Sequence, residues 1–173
     1  ITKNYLIPLN AVKHLLRTKP ELIENAFFYG AEGILSEDKT FVYSRIQHDE
    51  VFIKHLNKLY FDPRRPIIEI MKYENPIFLS HQHLNALNYA HLEALYFNYP
   101  LVHNSDFIQD YGYYYNEFDC IDAGKKCIEA IERHDDCLDE NELNNKEVIW
   151  KYHPRNKKNI KDTSVLIENL FTN

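Results

Sequence analysis

Apolar residues near the start of the chain repeat at helical spacing and then give way to two short aromatic runs. The repeat predicts a helix from Leu6 to about Leu16, with a break at Pro20. The aromatic runs at 25–30 and 39–46 predict two strands, the first of which is stopped by Gly30. Asp49 can cap a further helix, because apolar residues recur every three or four positions between 51 and 59.

Strands and helices are predicted to alternate through the middle of the chain. Residues 66–71 and 76–79 predict two strands, and residues 101–103 predict a third. The helix from Asn85 to Asn98 has the most distinct pattern in the chain, since its apolar residues cover a wide face and Pro100 follows it. We expect four residues of this helix to be mostly buried: Leu87, Ala90, Ala94 and Leu95.

The last third of the chain is predicted to be mainly helical. A short helix at 106–111 precedes a strand at 113–115, and Asp119 can cap a helix that continues to about His134. The polar stretch 135–146 predicts a surface loop or a frayed helix, and a terminal helix is expected around 162–171.

This alternation of strands and helices is typical of an α/β fold whose sheet is mainly parallel and covered by helices on both faces. The length of 173 residues favours one domain. We therefore expect residues 1–173 to form a single Rossmann-like domain with five or six strands and with ligands at the carboxyl ends of the strands. Because the first residue is Ile1 rather than methionine, we also expect a fragment of a longer protein.

Composition and charge narrow the possible partners and the compartment. The chain has 26 acidic and 20 basic residues, a net charge of −6, and no long basic face, so we expect no nucleic-acid partner. No apolar stretch approaches the length of a membrane span, and three cysteines without a CxxC pair favour a reduced compartment, the cytoplasm. With only four glycines, neither a GxGxxG fingerprint nor a P-loop occurs.

Polar residues follow three of the predicted strands, and together they mark a candidate ligand site. They are Ser44 and Arg45, then Ser80, His81 and Gln82, then His103, Asn104 and Ser105. The helix that starts after Gln82 would direct its free backbone N–H groups and its positive dipole end toward these residues, an arrangement that suits a diphosphate. Two turns along, Glu93 could accept hydrogen bonds from the two hydroxyls of a ribose. A site that binds phosphate at one end and sugar hydroxyls at the other would suit a nucleotide.

Several of these residues also have simpler interpretations. Glu93 could be an exposed helix glutamate, and Arg45 could form a surface ion pair. His81, His83 and His91 suggest a zinc site, but they have no helical i, i+4 pair and no cysteine among them. We therefore expect no metal.

One stretch of the sequence resembles a known family. The run EALYFNYPLVHNS at 93–105 resembles the donor-site signature of GT-B glycosyltransferases, in which an acidic helix residue precedes a turn, a proline and a strand. More narrowly, SHQHLNALNYAHLEALYFNYPLVHNS, followed by DYGYYYNEFD, is similar to a family of uncharacterised glycosyltransferase-like proteins of bacteria and large DNA viruses. The similarity extends from residues 3–17 to residues 130–134.

The resemblance implies the C-terminal, donor-binding half of a GT-B glycosyltransferase. Its substrate would be a UDP- or GDP-linked sugar, used for hexosyl or deoxyhexosyl transfer to a glycan or another hydroxyl acceptor without a metal or other cofactor. The N-terminal acceptor domain would lie elsewhere, activity could require it, and the location would be the cytoplasm, or the host cytoplasm for a viral protein. By the same resemblance Glu93 binds the ribose, Asn85 and Asn88 contact phosphate, and Arg45 meets the diphosphate.

The chain departs from the family pattern at two positions. In retaining enzymes a second glutamate lies eight residues before the ribose-binding one, where this chain has Asn85, so stereochemistry stays open and no catalytic residue is assigned. The nearest lysine after Arg45 is Lys54, nine positions beyond it. Two other functions stay open: a non-catalytic nucleotide- or glycan-binding module with the same fold, and a zinc-dependent hydrolase.

Overall fold

A computed structural model describes residues 5–34, 41–72, 76–85 and 88–172. These ranges contain eight α-helices and five β-strands, together with short 3₁₀ turns. The helices are α1 (Leu6–Thr18), α2 (Phe41–His48), α3 (Glu50–Lys54), α4 (Ile67–Ile70), α5 (Tyr89–Tyr96), α6 (Cys120–Arg133), α7 (Leu138–Tyr152) and α8 (Lys157–Phe171). The strands are β1 (Ala26–Tyr29), β2 (Leu59–Asp62), β3 (Phe78–Leu79), β4 (Leu101–His103) and β5 (Tyr113–Tyr114).

The strands form two small parallel sheets. β1 pairs with β2 over four residues, and β4 lies between β3 and β5 in the second sheet. Helix α5 connects β3 to β4, as parallel neighbours require a crossover connection. The α/β class and the parallel pairing are therefore as predicted, but the described strands form sheets of two and three strands rather than one sheet of five or six.

Helix α1 lies between two hydrophobic cores. Leu9 and Leu16 belong to the core around β1 and β2, whereas Leu15 belongs to the core between β4 and α6. The buried residues of α1 include the adjacent pairs Ala11–Val12 and Leu15–Leu16, whose members point to different sides, so one helix can bury two faces. The predicted helix is confirmed, and it fixes the two sheets relative to each other.

A third core packs helices α5 and α7 against β4. Ala94 and Leu95 of α5 meet Leu101 of β4 and Val148 of α7. Residues 138–146 are therefore helical, although the polar pattern predicted a surface loop or a frayed helix at 135–146. Packing against α5 stabilises a helix that local propensity alone would leave marginal.

The strand predicted at 39–46 is wrong where the structure describes it, because residues 41–48 form α2; positions 39 and 40 lie outside the described residues. The aromatic and β-branched run has strand propensity, but propensity yields to packing. Val42 and Ile46 are one helical turn apart and pack together into the first core.

The strand predicted at 66–71 is also wrong, because Pro66 precedes the single turn of α4. The strand of this region lies earlier, at β2, and it begins at Leu59, the last residue of the pattern that predicted a helix. Leu59 is buried in the core beside β1, and this long-range pairing is not visible in local spacing.

Helix α5 is shorter than predicted, since Asn88 caps it and Phe97 ends it. Ala94 and Leu95 are buried as expected, Ala90 is half-buried, and Leu87 lies outside the described residues. The helix predicted to start after Asp119 is confirmed as α6. No helix in the described part of the chain is both long and apolar enough to cross a membrane.

The closest helix contact joins α1 and α6. A Cβ on Gly124 of α6 would lie 2.9 Å from the Ala11 carbonyl oxygen and 2.9 Å from the His14 Cβ of α1. The absent side chain therefore lets the two backbones approach. Since α1 holds both sheets, this contact supports the whole arrangement.

We expect Gly124→Ala to destabilise the protein by about 1–2 kcal/mol, because overpacking against the α1 backbone outweighs the gain in helix propensity. The measurement is chemical unfolding monitored by circular dichroism. Gly33→Ala is the matched control, since a Cβ there meets nothing within 4 Å. Equal stability of the two variants would show that α1 and α6 are not closely packed.

Candidate functional site

The carboxyl ends of β3 and β4 are joined by a reciprocal pair of amide hydrogen bonds. The Gln82 backbone N–H donates to Asn104 Oδ1 at 2.8 Å, and Asn104 Nδ2 donates to the Gln82 carbonyl at 2.8 Å. Upstream, the Ser80 N–H donates to the Val102 carbonyl at 2.9 Å. The segments 80–82 and 103–105 therefore meet at one edge of the sheet, as the sequence predicted. We call this edge the rim.

Tyr115 follows β5, which lies on the opposite side of β4 from β3, and its hydroxyl reaches the rim residues that follow β3. Its hydroxyl donates to the Ser80 carbonyl at 3.0 Å and lies 3.0 Å from His81 Nδ1. A tyrosine hydroxyl has one hydrogen, which the carbonyl takes, so Nδ1 of His81 is the donor in the second bond. The proton of the neutral His81 imidazole is therefore on Nδ1.

The other nitrogen of His81 has no protein partner among the described residues. Nε2 is buried and makes no hydrogen bond, and the whole residue is only 5% exposed. Burial, together with the neighbouring His83, lowers the pKa of His81 and keeps the ring neutral. His81 therefore presents an unpaired lone pair at Nε2.

The hydrogen bonds of His103 require the tautomer opposite to that of His81. Its Nε2 donates to the Tyr111 carbonyl at 2.7 Å, and its Nδ1 accepts from the Ser105 N–H at 3.1 Å. Burial lowers the pKa of His103, although the bond to the Tyr111 carbonyl opposes this effect. Both ring nitrogens are paired within the protein, so His103 serves to hold the rim together.

A third imidazole, that of His91, attaches helix α5 to the rim. His91 Nε2 lies 2.8 Å from Ser80 Oγ, which also accepts a hydrogen bond from Gln82 Nε2 at 3.2 Å. The ring centroids of His91 and His103 are 5.6 Å apart. We refer to Ser80, His81, His91, His103 and Tyr115 as the histidine cluster.

The two predicted phosphate-binding asparagines lie next to the cluster. Asn85 Nδ2 donates to Gln82 Oε1 at 2.8 Å, and Asn88 Oδ1 accepts from the Ala90 N–H at 3.1 Å as the cap of α5. Asn88 thus supports the start of α5, whereas Asn85 is bonded to the rim residue Gln82. The helix starts at Tyr89, later than predicted.

Glu93 lies on another face of α5. It is exposed and follows the buried His91 by two residues, which is about 200° around a helix. The carboxylate is therefore accessible from solvent and directed away from the His91 side. A ligand that reached both regions would have to extend around the start of α5.

A groove of about 330 Å³ lies against the first turn of the same helix. Tyr89 and Leu92 form one wall, and Tyr152 and residues of α8, among them Asp162, form the other. None of its lining residues belongs to the histidine cluster. Tyr89 is exposed and one turn before Glu93, so the groove and the carboxylate lie close along α5.

Arg45 does not follow a strand, contrary to the prediction. It is exposed on α2, whose main partner is α3, because residues 41–48 are helical. Arg45 was expected at the rim only as a residue near the end of the strand predicted at 39–46, and residues 41–48 form no strand.

Two loops beside His81 contain residues in the left-handed region. Leu84 has φ of 51° and Glu117 has φ of 41°, which bulky residues seldom adopt. Asn104 Nδ2 also donates to the Glu117 carbonyl at 3.0 Å, which helps to hold this conformation. Strained residues of this kind cluster at functional sites, and these two flank the rim.

In the described ranges, no group of three or more His, Cys, Asp or Glu side chains is arranged to hold a metal ion. Of the three histidines considered for zinc, His81 bonds to Tyr115 and His91 to Ser80. His83 is exposed and lies against Phe118, with ring centroids 5.2 Å apart.

A family model described as "Protein of unknown function (DUF2827)" matches residues 1–167. The chain belongs to the DUF2827 family. The match covers the rim, the histidine cluster and most of α8, so the candidate site of this DUF2827 protein lies within the shared sequence. Neither a curated protein nor a solved structure matches the chain.

The stability of this DUF2827 protein should decrease as the pH falls through about 6.5. The folded-state pKa of His103 is lowered, so the unfolded chain binds more protons and acid favours unfolding. His103 contributes its full stabilisation above a pH of about 6.5. This contribution is lost as the pH falls toward the folded-state pKa of His103. Urea unfolding at a series of pH values measures the slope, which should be shallower in His103→Gln than in the parent.

His48→Gln is the control, because His48 is exposed on α2. Near-ultraviolet circular dichroism shows whether each variant keeps its tertiary packing. If His103→Gln is folded and its slope equals that of the parent and the control, the buried His103 is not responsible for the acid sensitivity.

Proposed function

We propose that this DUF2827 protein binds a nucleotide sugar at the rim, as the donor-binding part of a glycosyltransferase. The observation that carries the proposal is the rim itself, where parallel strand ends bring Ser80–Gln82 and His103–Ser105 together beside the start of α5. Ligands of parallel α/β sheets bind at such edges. The resemblance of residues 93–105 to the donor-site signature of GT-B glycosyltransferases supports the same assignment.

The diphosphate would lie at the start of α5. Helix N-termini attract anions through unpaired N–H groups and the helix dipole. Asn85 Nδ2 gives one of its two hydrogens to Gln82 and keeps the other for a phosphate oxygen. Basic side chains are not required for such a site. The proposal therefore does not depend on Arg45.

The nucleoside would extend along the exposed side of α5. The Glu93 carboxylate can accept both ribose hydroxyls, and the groove beside Tyr89 offers an aromatic wall for the base. The volume of about 330 Å³ is at the lower end of the range for small-molecule sites. The base would be that of a UDP- or GDP-linked donor.

The reaction we propose is hexosyl or deoxyhexosyl transfer to a glycan or another hydroxyl acceptor, without a metal. The acceptor would bind to a separate N-terminal domain. A cytoplasmic location belongs to the same proposal, because nucleotide sugars and reduced cysteines fit that compartment.

A non-catalytic nucleotide- or glycan-binding module is the second candidate. Position 85 is an asparagine that cannot act as a base, and most rim side chains are paired with one another. Release of nucleoside diphosphate from labelled nucleotide sugars, measured on the full-length protein with candidate acceptors, distinguishes the two. Binding without release would support the module.

Glu93→Ala should weaken nucleotide binding by about tenfold to a hundredfold, because it removes charge-assisted hydrogen bonds to the ribose. Glu93→Gln should weaken binding less, since one amide oxygen still accepts. The measurement is titration calorimetry with UDP, GDP and their sugars, after a thermal-shift panel selects the ligand that stabilises the parent protein.

Glu140→Ala is the matched control, because Glu140 is an exposed helix glutamate of α7. The control should bind like the parent. If Glu93→Ala also does, α5 does not bind the ribose; if no nucleotide binds the parent, the proposed function itself is wrong.

A further inference from the structure

The two buried histidines at the strand ends differ in how many of their ring nitrogens have a hydrogen-bond partner in the protein. His103 has a partner at each ring nitrogen, whereas His81 has one at Nδ1 and none described at Nε2. An unsatisfied buried acceptor is destabilising, so native proteins seldom keep one without a use. The difference indicates that His103 is structural and that His81 is available to a ligand.

Tyr115 decides which atom of His81 a ligand would meet. Its ring is fully buried in the core with Val102 and Ala123, and its hydroxyl hydrogen is directed to the Ser80 carbonyl. In its contact with His81 Nδ1, the hydroxyl can therefore act only as the acceptor. The tautomer of a neutral imidazole is set by the hydrogen bond that one nitrogen makes, which leaves Nε2 as the acceptor.

We propose that Tyr115 is a positioning residue that holds His81 in the Nδ1–H form, so that Nε2 accepts a hydrogen bond from a hydroxyl of the transferred sugar. The sugar contact rests on the proposed function, whereas the tautomer of His81 does not. A diphosphate has only acceptor oxygens, which a lone pair would repel, and the ribose hydroxyls are assigned to Glu93. The base also carries N–H donors, but it is assigned to the groove beside Tyr89, which none of the cluster residues lines. The sugar hydroxyls are the donors that remain.

The surroundings of His81 suggest how the sugar would reach it. Phe118 is 47% exposed and its ring centroid lies 5.2 Å from that of His81. It directly follows Glu117, whose left-handed backbone is held by Asn104. A sugar that reaches Nε2 would meet this exposed aromatic ring beside the imidazole.

The first experiment measures the tautomer without any ligand. In ¹⁵N-labelled protein, long-range correlation spectra distinguish protonated from unprotonated ring nitrogens, and His81→Gln assigns the His81 signals. We expect Nδ1–H for His81 and Nε2–H for His103, which serves as an internal reference of the opposite tautomer. Tyr115→Phe keeps the ring but removes the acceptor, so most of the His81 population should move to Nε2–H.

Tyr114→Phe is the matched control, because the Tyr114 hydroxyl donates to Asp106 rather than to the rim. The control should leave both tautomers unchanged. Thermal unfolding reports whether Tyr115→Phe is folded. The positioning role is refuted if His81 of the parent is protonated at Nε2, or if folded Tyr115→Phe keeps His81 fully in the Nδ1–H form.

The second experiment compares the nucleoside diphosphate with its sugar by calorimetry. Tyr115→Phe should bind the nucleotide sugar about fivefold to tenfold more weakly, the value of one neutral hydrogen bond, and the bare diphosphate as tightly as the parent. Equal weakening of both ligands, or of neither, refutes the sugar contact. Failure of the parent to bind any nucleotide refutes the proposed function and the sugar contact with it, while the tautomer measurement still decides the role of Tyr115.

Discussion

The hydroxyl of Tyr115 joins two strand ends that are not neighbours in their sheet. β4 separates β3 from β5, and the bond from Tyr115 to the Ser80 carbonyl crosses over its end. The same hydroxyl accepts from His81, so one buried group determines both the shape of the rim and the orientation of its imidazole. A buried hydroxyl that is fully satisfied stabilises one arrangement, because any other would leave polar atoms unpaired.

The rim continues directly into the hydrophobic core. The Tyr115 ring packs with Val102 of β4 and with Ala123 and Cys127 of α6, and α6 in turn packs closely on α1. Burial raises the pKa of the Cys127 thiol to about 12, so the thiol stays neutral and acts as a small apolar side chain. The site thus inherits its geometry from helix packing rather than from its own loops, which is how precise ligand contacts are usually supported.

Local sequence patterns located much of the candidate site but not its organisation. Polar residues after short apolar runs identified 80–82 and 103–105, since parallel strands end at one edge. Tyr115 was predicted only as part of a strand, and no local signal distinguishes its buried hydroxyl from those of Tyr113 and Tyr114. Arg45 was placed at the rim because an aromatic run has the propensity of a strand, and packing made it a helix.

The sequence by itself determined the α/β class, strand β4 with its parallel pairing, helices α1 and α6, and the polar residues of the rim. These follow from short-range physics: periodic burial, caps such as Asp119, and the breaks at glycine and proline. Tertiary structure alone decided the division into two sheets, the identity of β2, the folding of 138–146 into a helix, and the different roles of His81 and His103. Each depends on contacts between residues far apart in the chain, whose free energy local spacing does not encode.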